Sequence, residues 1–241
     1  MNWKGREIES LHFGLTYKCT LGCLECARTY ATKNKIADIS NTVHVDYKNY
    51  TKLINKINPS SIEFCGNWGD PIYYPDLIPL VQFIREKEKD LGFPIKIKMH
   101  TNGSYRDKTF WNELGNVMTS NDCIFFSIDG TRENFTKYRV NGDIQSIDVG
   151  IQSLLEVENK PTLYQKTICF SYNKWKLVDI VKEAINAKFD YIRFDWPHVS
   201  EHEWLRPDFS ARWAWKVLKL AGYDFNYPKN NTDILVKSLN V

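Results

Sequence analysis

Six short runs rich in β-forming residues, at 11–17, 61–65, 95–101, 123–129, 164–171 and 191–195, alternate with segments whose apolar residues recur at helical spacing. Such alternation leaves few choices besides a parallel sheet of repeated βα units, because parallel neighbours need a crossover and a helix is the usual one. Three helical stripes are plain: Leu77, Leu80, Val81 and Ile84; Ile144, Ile147, Ile151 and Leu154; Leu177, Ile180, Val181 and Ala184. They are expected to pack on the outer wall of an open α/β barrel. Several strands read as apolar throughout, as strands covered on both faces do. Asp46 is placed to cap a helix running to about residue 57, which Pro59 closes. Residues 27–45 form a long connection without a strong pattern. After residue 200 a helix over about 210–221 and a polar tail make a seventh layer or a lid.

The 241 residues, 43% of them hydrophobic, suffice for one core, so one domain is expected. A net charge of +3 is too small to imply a polyanion partner without a clustered patch. The opening MNWKGREIES has no signal-peptide pattern, and no stretch approaches the roughly 18 apolar residues of a membrane span. A soluble, cytoplasmic protein with no membrane partner is the expectation.

Three of the six cysteines fall within eight residues, which favours metal over disulfides. Cys19, Cys23 and Cys26 make a C-x3-C-x2-C loop directly after the first strand. Three thiolates so spaced can wrap one iron–sulfur cluster, and the missing fourth ligand leaves one iron open to a reactant. The competing reading is zinc with a histidine, His12 or His44 being nearest, although neither has the usual zinc spacing. Cys65, Cys123 and Cys169 sit singly in apolar runs and read as small buried hydrophobes.

The cysteine loop, followed by FCGNWGDP, HTNGS, FSIDG and ENFTKYRVNG at successive strand ends, resembles the radical S-adenosylmethionine (radical SAM) superfamily, over at least residues 11–198. The resemblance implies an α/β fold, a partial (β/α)6 TIM-type barrel at residues 1–200, with a C-terminal helix and tail at 201–241 in the same domain. It also implies one [4Fe-4S] cluster on Cys19, Cys23 and Cys26, whose open iron binds S-adenosylmethionine. One-electron reduction then releases a 5′-deoxyadenosyl radical that takes a hydrogen atom from a substrate. Glu25 stands where family enzymes often carry an aromatic residue.

By the same resemblance, Gly66, Asn67, Trp68, Gly69 and Asp70 match the Gly-Gly-Glu-Pro motif that holds the cofactor's amino group, with Asp70 in place of Glu. Asn102, Ser127 and Asp129 lie at the carboxyl ends of the third and fourth strands, where barrel chemistry gathers. Arg139 carries a fork suited to the methionyl carboxylate. Asn173 matches a position near the cofactor, His198 is a contact for adenine or substrate, and Trp68 and Trp196 are candidates to line the substrate pocket. The motifs look closest to the peptide- and protein-modifying, SPASM-like branch, whose cysteine-rich C-terminal extension is missing here.

The expectation is therefore a radical SAM enzyme that draws its electron from a donor such as flavodoxin or ferredoxin. A peptide or protein side chain is the favoured substrate and a nucleotide or nucleic acid the alternative. The rivals are a zinc-stabilised binding protein without catalysis and an electron-transfer or thiol-redox protein.

Overall fold

The structure is a computed structural model that describes residues 8–35, 44–66, 68–197, 206–207, 209–223 and 234–237. In chain order the elements are β1 (Ser10–Phe13), α1 (Ala27–Lys33), α2 (Tyr47–Ile57), β2 (Ser61–Phe64), α3 (Leu77–Leu91), β3 (Lys96–Thr101) and α4 (Lys108–Val117). There follow β4 (Cys123–Ser127), α5 (Ile144–Leu155), β5 (Thr162–Ile168), α6 (Leu177–Asn186), β6 (Tyr191–Asp195), α7 (Ala211–Leu220) and β7 (Ile234–Lys237). They make one seven-stranded sheet in the order β1 to β7. The first six strands are parallel, and β7 runs antiparallel to β6. This open six-stranded parallel sheet is the expected partial barrel.

One face of the sheet carries Ile62, Phe64, Ile97, Met99, Ile124, Phe126, Leu163, Ile192 and Phe194, which form the core with the buried stripes of the helices. Leu77, Leu80, Val81 and Ile84 of α3 lie wholly inside, as their spacing requires. Asp46 caps α2 by accepting from the Lys48 backbone N–H at 2.8 Å.

The expectation of strands apolar throughout needs correction. Only β4 is buried along most of its length, whereas β2, β3, β5 and β6 alternate buried and half-buried residues. Their second face meets no helix layer among the described residues and carries Glu63, Lys98, His100, Lys166, Arg193 and Asp195. Period-two alternation is the signature of a sheet with one wet face.

Two elements were not expected. Helix α1 lies inside the patternless stretch 27–45, and the apolar chain end forms β7. Strand β1 is also shorter than its apolar run: beyond Phe13 the chain leaves the sheet, and Thr16 makes an isolated bridge with His44. No helix among the described residues is long and apolar enough to cross a membrane.

Candidate functional site

The cysteine loop leaves β1 at the carboxyl edge of the sheet and ends as Cys26 opens α1. Its backbone is clamped from several sides. The Arg28 guanidinium donates to the carbonyls of Tyr17 at 3.0 Å and Leu21 at 3.2 Å. Gly22 N–H donates to the Val140 carbonyl at 2.9 Å, and Asp70 N–H to the Lys18 carbonyl at 2.8 Å. Cys23 is buried in a small apolar cluster with Leu21, Tyr138 and Phe170, and Cys19 and Cys26 flank it.

Two polar groups reach the sulfurs. Asn102 Nδ2 lies 3.5 Å from Cys19 Sγ and Arg139 Nη1 lies 3.7 Å from Cys23 Sγ. Burial pushes the Cys19 thiol up to about 12, with Asp70 adding to the effect. Burial raises Cys23 as well, against the pull of Arg139.

The segment 66–70 packs backbone to backbone on the start of the loop. A Cβ on Gly69 would stand 2.2 Å from the Thr16 carbonyl oxygen, and one on Gly66 would stand 1.8 Å from the Gly69 oxygen. Both glycines are thus required by close approach. Asp70, expected to face the cofactor's amino group, is buried and accepts from three protein donors: Asn102 N–H at 2.6 Å, Thr101 Oγ1 at 2.8 Å and Ile72 N–H at 3.2 Å. Burial lifts its carboxyl to about 6 in spite of those bonds. It fastens the loop after β2 to the end of β3. Trp68 is 40% exposed, its ring 6.4 Å from that of Tyr17. Asn67 and His198 lie outside the described residues.

Asp129 and Asn173 form a buried brace beneath Arg139. Asp129 accepts from Arg139 Nε at 2.5 Å and from Ile168 N–H at 2.6 Å. Its backbone carbonyl accepts from the Tyr172 hydroxyl. Asn173 accepts from Phe170 N–H at 3.0 Å and donates to the carbonyls of Ile168 at 2.9 Å and Asp129 at 3.4 Å. Both side chains thus hold protein partners on all of these bonds. Although burial opposes it, Asp129 keeps Arg139 firmly charged. Asn102 combines two tasks, accepting from Ser104 N–H at 2.8 Å while reaching Cys19.

Sequence reasoning missed the wet face of the sheet. Ser127, Lys166 and Arg193 stand in register on β4, β5 and β6. Lys166 pairs with Asp195 at 3.0 Å, and Arg193 pairs with the other carboxylate oxygen at 2.6 Å. Although burial opposes it, the two cations hold Asp195 below its usual range. One row further from the mouth, His100, Phe125, Tyr164 and Tyr191 stack in sequence across β3 to β6, with ring centres 4.5, 4.5 and 4.9 Å apart. The period-two charges of KIKMHT and YIRFD were the available signal.

Glu63 accepts from His100 at 3.1 Å, yet burial, then Lys166, pushes the imidazole down to about 4. The unfolded chain takes up a proton near pH 6.5 that the folded chain refuses. The contribution of His100 to stability is therefore full above pH 6.5 and declines as pH falls towards 4. Chemical denaturation from pH 7 to 4.5 should show a flatter decline for His100→Asn than for the native chain, and equal slopes would refute this reading.

No protein-family model matches the chain. It is 29% identical over 167 residues to the probable GTP 3′,8-cyclase of Methanococcus maripaludis, an alignment covering 65% of this chain and 49% of that protein. The chain thus spans about half the length of the curated relative it matches. Among solved structures it resembles TYW1 with a bound lysine-pyruvate adduct, at a TM-score of 0.63 and 15% identity, over 97% of this chain and 79% of that one. It also resembles Streptococcus suis SuiB bound to its precursor peptide SuiA, at 0.62 and 13%, over 88% and 45%. A third likeness is to anSMEcpe with AdoMet and the Cp18Cys peptide, at 0.59 and 14%, over 81% and 54%.

The fold is the open partial barrel that these three structures share. The relative and the three-cysteine loop support the radical SAM superfamily, without pointing to its SPASM-like branch. The residues present also fit a radical SAM cluster. Donors such as Asn102 and Arg139 against the sulfurs are a recognised means of tuning such clusters.

Proposed function

We propose that this chain is a radical SAM enzyme holding one [4Fe-4S] cluster on Cys19, Cys23 and Cys26, with S-adenosylmethionine beside it. The observation that carries the reading is a clamped loop of three thiols at the mouth of this barrel, with two side-chain donors reaching its sulfurs. When bound, the pair supplies a carbon radical that takes a hydrogen atom from the substrate. The chain's own work is to bind and to orient.

In this reading the backbone of Gly66, Asn67, Trp68 and Gly69 receives the cofactor's amino group, and Asp70 holds that loop in place. Arg139, fixed by Asp129 and Asn173, supplies positive charge for the carboxylate. Ser127 serves the ribose, and His198 the adenine or the substrate. The electron comes from a flavodoxin- or ferredoxin-type donor, in the cytoplasm. Helix α7 and β7 belong to the same domain as the barrel.

For the substrate the reading moves from a peptide towards a nucleotide or nucleic acid. Lys166 and Arg193 together outweigh the Asp195 they share, which leaves net positive charge on that row for a phosphate, and the curated relative is named for GTP. A peptide side chain is the second reading, favoured by the peptides bound in the SuiB and anSMEcpe structures. The test is to load the protein anaerobically with iron and sulfide, reduce it with S-adenosylmethionine present, and look for 5′-deoxyadenosine. Its release is expected. A protein that takes up stoichiometric zinc without sulfide and releases none sinks the proposal.

A further inference from the structure

On the rim beyond β5, a short 3-10 helical segment at Ser171–Lys176 meets α7 in a cluster of aromatic rings around one cation. Lys174 Nζ lies 4.9 Å from the centre of the Trp175 ring, 5.2 Å from Trp213 and 5.8 Å from Phe209. Trp175 meets Trp213 edge to face at 5.4 Å, and Phe209 meets Trp213 at 5.2 Å. Phe209 and Trp213 pack on the core, whereas Trp175 is 78% exposed. An indole in water at that exposure gives up burial that its size would otherwise favour. A structural role in the core does not account for it.

Positive charge collects beside it on α7. Lys174 lies among the rings and Lys176 pairs with Asp179 at 3.3 Å, while α7 holds Arg212, Lys216 and Lys219 and no acid. Arg212, Lys216 and Lys219 recur at i, i+4 and i+7 and are all exposed, so they form one stripe along α7 beside Trp213. The chain as a whole is close to neutral, so this is a local concentration. A flat exposed ring within a basic stripe is the combination that binds single-stranded nucleic acid: the ring stacks on a base and the cations follow the backbone. An acidic peptide would use the cations and leave the ring without a purpose. A methylated ammonium ligand is disfavoured because Lys174 already sits among the rings.

We propose that Trp175 and the Arg212–Lys216–Lys219 stripe form a docking surface for single-stranded nucleic acid, with a base stacked on Trp175. The segment lies next to the cysteine loop, since Tyr172 packs on the apolar cluster that buries Cys23. The surface stands apart from the proposed reaction: a chain that binds nucleic acid but releases no 5′-deoxyadenosine fails that reading and keeps this one.

The test is fluorescence anisotropy of the full chain with a labelled single-stranded RNA of roughly 12 nucleotides, a length such surfaces span, over a salt series. Binding should weaken steadily with salt. Trp175→Ala should weaken it about tenfold, in keeping with the loss of one stacked base, while Trp175→Phe retains most of it. Arg212→Glu with Lys216→Glu should lower both the affinity and the salt slope. Unchanged melting curves show that the variants fold. Three results would overturn the proposal: no binding at low salt, indifference to Trp175→Ala, or equally tight binding of duplex RNA or a poly-glutamate peptide.

Discussion

Cys23→Ala protein, loaded anaerobically with iron and sulfide and then reduced, is expected to release 5′-deoxyadenosine roughly a thousandfold more slowly than the native chain or not at all, because members of a group that acts as a unit fail together. The expectation rests on the ligand set. Cys123, the first residue of β4, lies at the end of the sheet away from the loop, and Cys169 is wholly buried in the main core. Folding should survive, since removing one small sulfur from the cluster of Leu21, Tyr138 and Phe170 costs about 1 kcal/mol. Arg139 keeps its pairing with Asp129. Iron and sulfide content, visible absorption and a thermal melt separate loss of the cluster from loss of the fold. A variant that keeps both full iron and full release would show that Cys23 is no ligand.

Gly69→Ala is expected to destabilise the chain by on the order of 3 kcal/mol, the upper end for forced overpacking. The new methyl would stand 2.2 Å from the Thr16 carbonyl oxygen and 2.8 Å from that of Lys18, so two backbone segments must part. No side chain can rotate away to relieve the contact. The movement also breaks the bond from Asp70 N–H to the Lys18 carbonyl and so loosens the loop that carries Cys19. Gly14→Ala is the control, because a Cβ there meets nothing within 4 Å. It should shift stability by less than about 0.5 kcal/mol. Urea unfolding of the two variants side by side decides the matter, and equal midpoints would refute the close-approach argument.

The barrel was legible because its signals are local. Apolar periodicity in 77–84, 144–154 and 177–184 and the run CIFFS each name an element without reference to the rest of the chain. The cysteine loop was legible for the same reason. Helix α1 was not, since its sequence ARTYATK carries few apolar residues and buries only Thr29 and Ala31. Strand β7 depends on the free edge of β6, which no local pattern reports.

Roles within the site were harder still. Asp70, Asp129 and Asn173 were read as groups near a ligand, and the structure shows each also holding protein partners: Thr101 for Asp70, Ile168 for Asp129 and the nearby Phe170 for Asn173. Sequence reveals that a carboxylate stands at a strand end; the donors that Asp70 and Asp129 meet lie tens of residues away. Lys166 and Arg193 were passed over for a related reason: they lie inside strands, where attention goes to apolar residues, and their alignment exists only once β5 and β6 pair in register.

The four stacked rings from His100 to Tyr191 tie β3, β4, β5 and β6 together on the face away from the main core. Phe125 and Tyr164 each sit between two rings, so neither strand can slip along its neighbour without sliding one ring off another. The register of the parallel sheet is thereby held from its wet side as well as from its core.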